Sequence, residues 1–105
     1  FLTIPNAVES IGEGAFVGCS GFTGFLSLSE NLTTISDKAF AACSGLTGDL
    51  TIPKTIKSIG EWAFAFCGNF TGSLTIPDSV RTIGESAFYG CSGFTGSLNI
   101  PNLLR

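Results

Sequence analysis

One 24-residue unit, repeated four times without a gap, constrains this chain more than any other feature. Residues 2–25 read LTIPNAVESIGEGAFVGCSGFTGF, and residues 26–49 read LSLSENLTTISDKAFAACSGLTGD. Residues 50–73 read LTIPKTIKSIGEWAFAFCGNFTGS and residues 74–97 read LTIPDSVRTIGESAFYGCSGFTGS, after which LNIPNLLR (98–105) opens a fifth copy. Self-similarity at one fixed period implies supersecondary units stacked in a row. In the third copy the apolar columns are Leu50, Ile52, Ile56, Ile59, Ala63, Phe64, Cys67 and Phe70, and the other copies match them in type. Burying a large apolar side chain yields roughly 1.5 to 3 kcal/mol, against about 1 to 2 kcal/mol per residue for ordering the backbone. A single unit therefore cannot close a core, whereas stacked neighbours bury a continuous one.

Within the unit, Ser73-Leu74-Thr75-Ile76 alternates polar and apolar residues as a half-buried strand does. Pro77 ends it, because proline cannot donate to a ladder. Val80-Arg81-Thr82-Ile83 is the second extended segment, and it meets Gly84. Residues 85–91 (ESAFYGC) have helical spacing but are too short for an α-helix, which predicts a 3₁₀-type turn. The column Gly21, Gly45, Asn69, Gly93 combines glycine with the residue that best tolerates positive φ, so a left-handed backbone is expected there.

These motifs carry a resemblance. LTIPxxVxxIGxxAFxxCxxF is similar to the BspA-like class of leucine-rich repeats, found in bacterial and protist cell-surface proteins, and the likeness runs through the whole chain. The resemblance implies a mainly β, right-handed leucine-rich-repeat solenoid, with short parallel strands on the concave side and 3₁₀-type turns. Residues 1–105 would form a single domain of four 24-residue coils (2–25, 26–49, 50–73, 74–97) and a partial fifth (98–105), as a fragment of a longer array. It further implies exposure at the cell surface or outside the cell, adhesion, and binding of a host or matrix protein or of a glycan. Copy two departs from the pattern with Ser29 in place of Pro and Ser36 in place of Gly.

Composition removes several function classes. The net charge is -3 with five Lys plus Arg, too few cations to displace counterions from phosphates, so nucleic acid is not an expected partner. Although 44% of the residues are hydrophobic, the apolar runs fall far short of the roughly 18 to 20 residues of a membrane span, so insertion is not expected. No charged segment followed by a small-residue cleavage site opens the chain, and there is no methionine; the start inside the pattern reads as a piece of something longer. With no histidine, no Ser–His, Cys–His or His–metal arrangement exists. No GxxxxGK[ST] occurs either, and no cofactor is implied. The expectation is a protein without catalytic activity.

Several columns could carry binding. Alternation turns Thr23, Phe25 and Ser27 outward, with Thr47, Asp49 and Thr51, then Thr71, Ser73 and Thr75, then Thr95, Ser97 and Asn99. This is a hydroxyl-rich face for a protein or glycan, although Thr also simply suits exposed strand positions. Copy three differs on its surface. Trp62 and Phe66, four residues apart, can meet each other and Tyr89 of the next copy as an aromatic patch, or Trp62 can lie flat as packing. Glu13, Asp37, Glu61 and Glu85 form an acidic column whose neighbours repel by roughly 0.8 kcal/mol in water. A calcium ladder is one reading; the favoured one has each carboxylate opening the short turn, where negative charge is welcome. Cys19, Cys43, Cys67 and Cys91 share one column. Disulfides between coils lie within reach, but free thiols packed as small hydrophobes are favoured. Asn31-Leu32-Thr33 and Asn69-Phe70-Thr71 match the N-glycosylation pattern. Beside an interaction module, the alternatives are a structural spacer and a self-assembling segment joined end to end through Phe1, Leu2, Leu103 and Leu104.

Overall fold

Parallel pairing between residues one repeat apart builds the molecule. The computed structural model describes residues 2–94 and the backbone of 98–99. Among them are two-residue strands, turns and no helix. Strands β1 (Leu2–Thr3) and β2 (Leu26–Ser27) pair in parallel, Leu2 opposite Leu26. Strand β3 (Thr34–Ile35) pairs with β4 (Ser58–Ile59), and β4 pairs with β6 (Thr82–Ile83). Strand β5 (Leu74–Thr75) pairs with β7 (Leu98–Asn99), while Thr51 joins Thr75 by a single bridge. One ladder thus follows the LTI segment of each repeat and a second follows the xxI segment. Bridges Gly24–Leu46 and Gly48–Phe70 make a third. Strands stay this short because Pro5, Pro53 and Pro77 close the first segment and a tight turn follows the second.

All eight apolar columns of the third copy are buried, with Phe64, Cys67 and Phe70 wholly so. In the first copy Phe16 and Cys19 are only half-buried and Phe22 is exposed. The phenyl rings of Phe16, Phe40, Phe64 and Phe88 stack nearly parallel, with centroids 5.3, 5.4 and 5.5 Å apart. They form a continuous spine, a favourable arrangement for aromatic rings.

The segment expected as a 3₁₀-type turn takes another form. Alternate amides make i→i−3 bonds, as in Ala39 to Ser36, Ala41 to Lys38 and Cys43 to Phe40. The amides between them leave the coil: Lys38, Phe40 and Ala42 donate to the carbonyls of Glu61, Ala63 and Ala65 at 2.7 to 2.9 Å. A helix would consume those donors internally. Here the backbone bonds are shared between a chain of β-turns and the next coil.

The expected left-handed column is also corrected. Gly21, Gly45, Asn69 and Gly93 do not have positive φ; the columns that do are Gly14/Lys38/Trp62/Ser86, Gly18/Ala42/Phe66/Gly90 and Gly24/Gly48/Gly72. In the first two, each such residue is the third of a four-residue turn, where type II geometry needs φ > 0. Glycine is required at 45 and 93 for a different reason. A Cβ there would strike the carbonyl oxygens of Phe22 and Phe70 on the preceding coil, whereas at Gly21 the space is open. Asn69, which carries a Cβ in this column, donates its side-chain amide to the Ser44 carbonyl at 2.5 Å.

Candidate functional site

The LTI ladder turns its apolar residues inward and its polar ones outward. Thr23, Phe25, Ser27, Thr47, Asp49, Thr51, Thr71, Ser73 and Thr75 are all exposed. Thr95 and Ser97 lie outside the described residues, and Asn99 is placed by its backbone pairing with Thr75. Phe25, with 56% of its surface accessible, overlooks an open groove that continues past Asp49, Thr51 and Lys54. The face is therefore nearly uncharged, rich in hydroxyls and continuous across coils.

A second hydroxyl row was not anticipated. Thr34, Ser58 and Thr82 stand on the three-stranded ladder β3-β4-β6, and the Ser58 hydroxyl lies 3.3 Å from that of Thr34. The signal was present: in each copy a polar residue precedes the Ile of this segment, the same alternation that identified the first face.

Of the acidic column, Glu13, Glu61 and Glu85 are exposed and Asp37 is half-buried. Asp37 accepts the Glu61 N–H at 2.8 Å across the coil boundary. That bond replaces the expected role at a helical opening, since no helix forms. Among the described residues no three metal-ligating side chains converge.

The cysteines are free thiols, and each of the last three donates to a carbonyl of the coil before it. Cys43, Cys67 and Cys91 lie 3.0 Å from the oxygens of Phe16, Phe40 and Phe64. Burial pushes the Cys67 thiol up to about 12, against the lowering effect of a hydrogen bond from the Cys43 backbone, and raises Cys43 and Cys91 as well. These are packing groups, since a reactive cysteine needs a depressed pKa.

The aromatic residues come together. Ring centroids are 6.2 Å apart for Trp62–Phe66, 5.6 Å for Trp62–Tyr89 and 5.5 Å for Phe66–Tyr89. Trp62 is half-buried, while Phe66 and Tyr89 remain 50% and 58% exposed. Both Trp62 and Phe66 occupy the left-handed columns, with φ of 59° and 62°, a geometry that costs roughly 1 to 2 kcal/mol in a residue with a Cβ. The two glycosylation patterns put their asparagines at exposed positions. Their amide nitrogens are already used as donors, Asn31 to the Asn6 carbonyl and Asn69 to that of Ser44.

A family model, the BspA type leucine rich repeat region (6 copies), matches residues 1–105, the entire chain. The chain belongs to the BspA-type leucine-rich-repeat family. It is also similar to the crystal structure of a leucine rich cell surface protein from Faecalibacterium prausnitzii A2-165, at 34% sequence identity and a TM-score of 0.79. The alignment covers 92% of this chain and 25% of that one, so the chain spans about a quarter of the length of that protein. No curated protein matches the chain.

Against the BspA-type pattern, copy two's departures are resolved by hydrogen bonds. Ser29, in the proline column, is fully buried; its hydroxyl donates to the Val8 carbonyl at 2.7 Å and accepts the Asn31 N–H at 3.0 Å. Ser36, in the glycine column, donates to the Ile11 carbonyl at 2.6 Å. The aromatic patch is different in kind, because nothing in the repeat's own packing calls for it. Coil one carries Gly14, Val17 and Gly18 at the corresponding positions, and coil two carries Lys38, Ala41 and Ala42.

Proposed function

We propose that this chain is a non-catalytic protein-interaction segment of a larger cell-surface protein. In this reading the right-handed stack of 24-residue coils presents the Thr/Ser face on its concave side to a host or matrix protein or to a glycan. Leucine-rich repeats of this kind generally bind proteins and lack catalytic activity, and the similar F. prausnitzii chain is described as a cell surface protein. No helix among the described residues is long and apolar enough to cross a membrane. The observation that carries the reading is the unbroken exposure of the outward LTI positions from Thr23 to Thr75. A face held at one register over several coils offers a partner a rigid array with little ordering cost on binding.

Surface plasmon resonance against purified extracellular-matrix proteins and an oligosaccharide panel tests this. Saturable binding is expected, weakened about tenfold or more by Thr51→Lys with Thr71→Lys at unchanged melting temperature, since a misplaced charge at an interface core is costly. Binding by that double variant equal to that of the parent chain would demote the face to a spacer surface.

A further inference from the structure

We infer that Trp62, Phe66 and Tyr89, flanked by the carboxylates of Glu61 and Glu85, form a docking patch for a basic protein segment carrying arginine or lysine. This rests on the interaction reading above, but concerns a different surface and a stated partner chemistry.

The patch is an addition to the repeat, confined to coils three and four. Coil one has glycine at both left-handed positions, Gly14 and Gly18. Coil three places its largest side chains at the same two positions, although glycine there would relieve the backbone. Coil four makes room for them. A Cβ on Gly90 would lie 2.9 Å from Cδ1 of the Phe66 ring, so the ring rests over bare backbone. Between Trp62 and Phe66 in the chain, Ala65 is wholly buried yet stands apart from the hydrophobic core cluster. In coil two the corresponding Ala41 is only half-buried. The three rings pack against one another, while Phe66 and Tyr89 keep half their surface or more in solvent.

Charge selects the occupant. Glu61 directly precedes Trp62, and the Trp62 N–H donates to the main-chain carbonyl of Glu85 at 3.1 Å, so the backbone positions of two exposed acidic residues adjoin that of Trp62 on two coils. Among the described residues of these columns, Lys38 is the one cation against Glu13, Asp37, Glu61 and Glu85. Aromatic faces beside carboxylates suit a guanidinium or ammonium, which gains from both the ring quadrupole and the negative charge. A second copy of the chain would bring its own acidic row against this one, and an anionic lipid surface would be repelled.

The test uses the full chain and a fluorescein-labelled peptide of about a dozen residues alternating Arg and Ser, with a Glu-for-Arg peptide beside it. Anisotropy is read at about 50 and about 300 mM NaCl, which bracket strong and weak screening. The Arg peptide is expected to bind and the Glu peptide not to bind. Trp62→Gly with Phe66→Gly, restoring the residues of coil one, should weaken binding about fivefold or more, as expected when interface anchors are removed. Glu61→Gln with Glu85→Gln should do likewise, and Gly90→Ala should weaken binding by displacing the Phe66 ring. Thr51→Ala with Thr71→Ala should leave it unchanged, and urea midpoints verify that each variant is folded. Undiminished affinity in the Trp62/Phe66 variant would overturn the inference by reducing the attraction to bulk charge, as would failure of the Arg peptide to bind. If the Arg peptide fails while matrix binding still depends on Thr51 and Thr71, this patch is lost and the proposed function survives.

Discussion

At the scale of single residues, equivalence of sequence position is not equivalence of environment. Gly21 and Gly45 occupy the same column, yet a Cβ meets nothing within 4 Å at Gly21 and collides with the Phe22 and Ser20 carbonyls at Gly45. Gly45→Ala is therefore expected to lower stability by about 1 to 3 kcal/mol, the usual cost of overpacking. Gly21→Ala should change it by less than about 0.5 kcal/mol. Urea denaturation of the two variants decides the matter, and equal costs would contradict the close-approach explanation. The same distinction explains why the composition of this column suggests a left-handed backbone that the structure places elsewhere. Asn69 among glycines looks like a positive-φ signature, but what it reports is a neighbour's carbonyl that asparagine can satisfy by donation. The true left-handed columns hold Lys38, Ala42, Trp62, Phe66 and Ser86, residue types that conceal that backbone geometry.

At the scale of the element, columns rather than strands hold the coils together. The phenyl spine is buried at Phe40 and Phe64 but half-covered at Phe16. Phe64→Ala should cost about 3 to 5 kcal/mol, and Phe16→Ala clearly less; chemical denaturation of both would show the difference or its absence. The thiol column adds a pH dependence. A thiol that ionises near 9 when unfolded and near 12 when folded keeps its proton longer in the native state. Above pH 9 the unfolded chain binds fewer protons, so stability is full below about pH 8 and is lost as pH rises toward 12, by at most about 1.4 kcal/mol per pH unit for each such thiol. Melting temperatures recorded from pH 7 upward should fall beyond about pH 9, and Cys67→Ala should shrink that fall. A flat profile would mean the thiols carry no such burden. The turn element shows where sequence periodicity misleads. The spacing of Ala39, Phe40 and Cys43 suits a helical turn, but their neighbours' amides are claimed by the next coil, a competitor that no single repeat displays.

At the scale of the whole molecule, each coil touches only the coils beside it, so stability is expected to vary along the stack. Amide exchange should reveal this gradient: the Trp62, Phe64 and Phe66 amides, which bond to coil four, should exchange more slowly than those of Gly14, Phe16 and Gly18, which bond from the less covered first coil. Uniform protection would point instead to one all-or-none unit. The same one-dimensional logic accounts for what could be read in advance. The repeat, its inward columns, the free thiols and the outward hydroxyl face follow from the sequence alone, because stacking places every residue opposite its own counterpart and burial obeys the periodicity. The tertiary structure alone decided which glycines serve a carbonyl's approach and which a left-handed turn, whether alternate amides bond within a coil or beyond it, and that three rings on two coils meet in one patch. Those outcomes depend on contacts made between coils, and the pattern within one coil carries no record of what its neighbour brings against it.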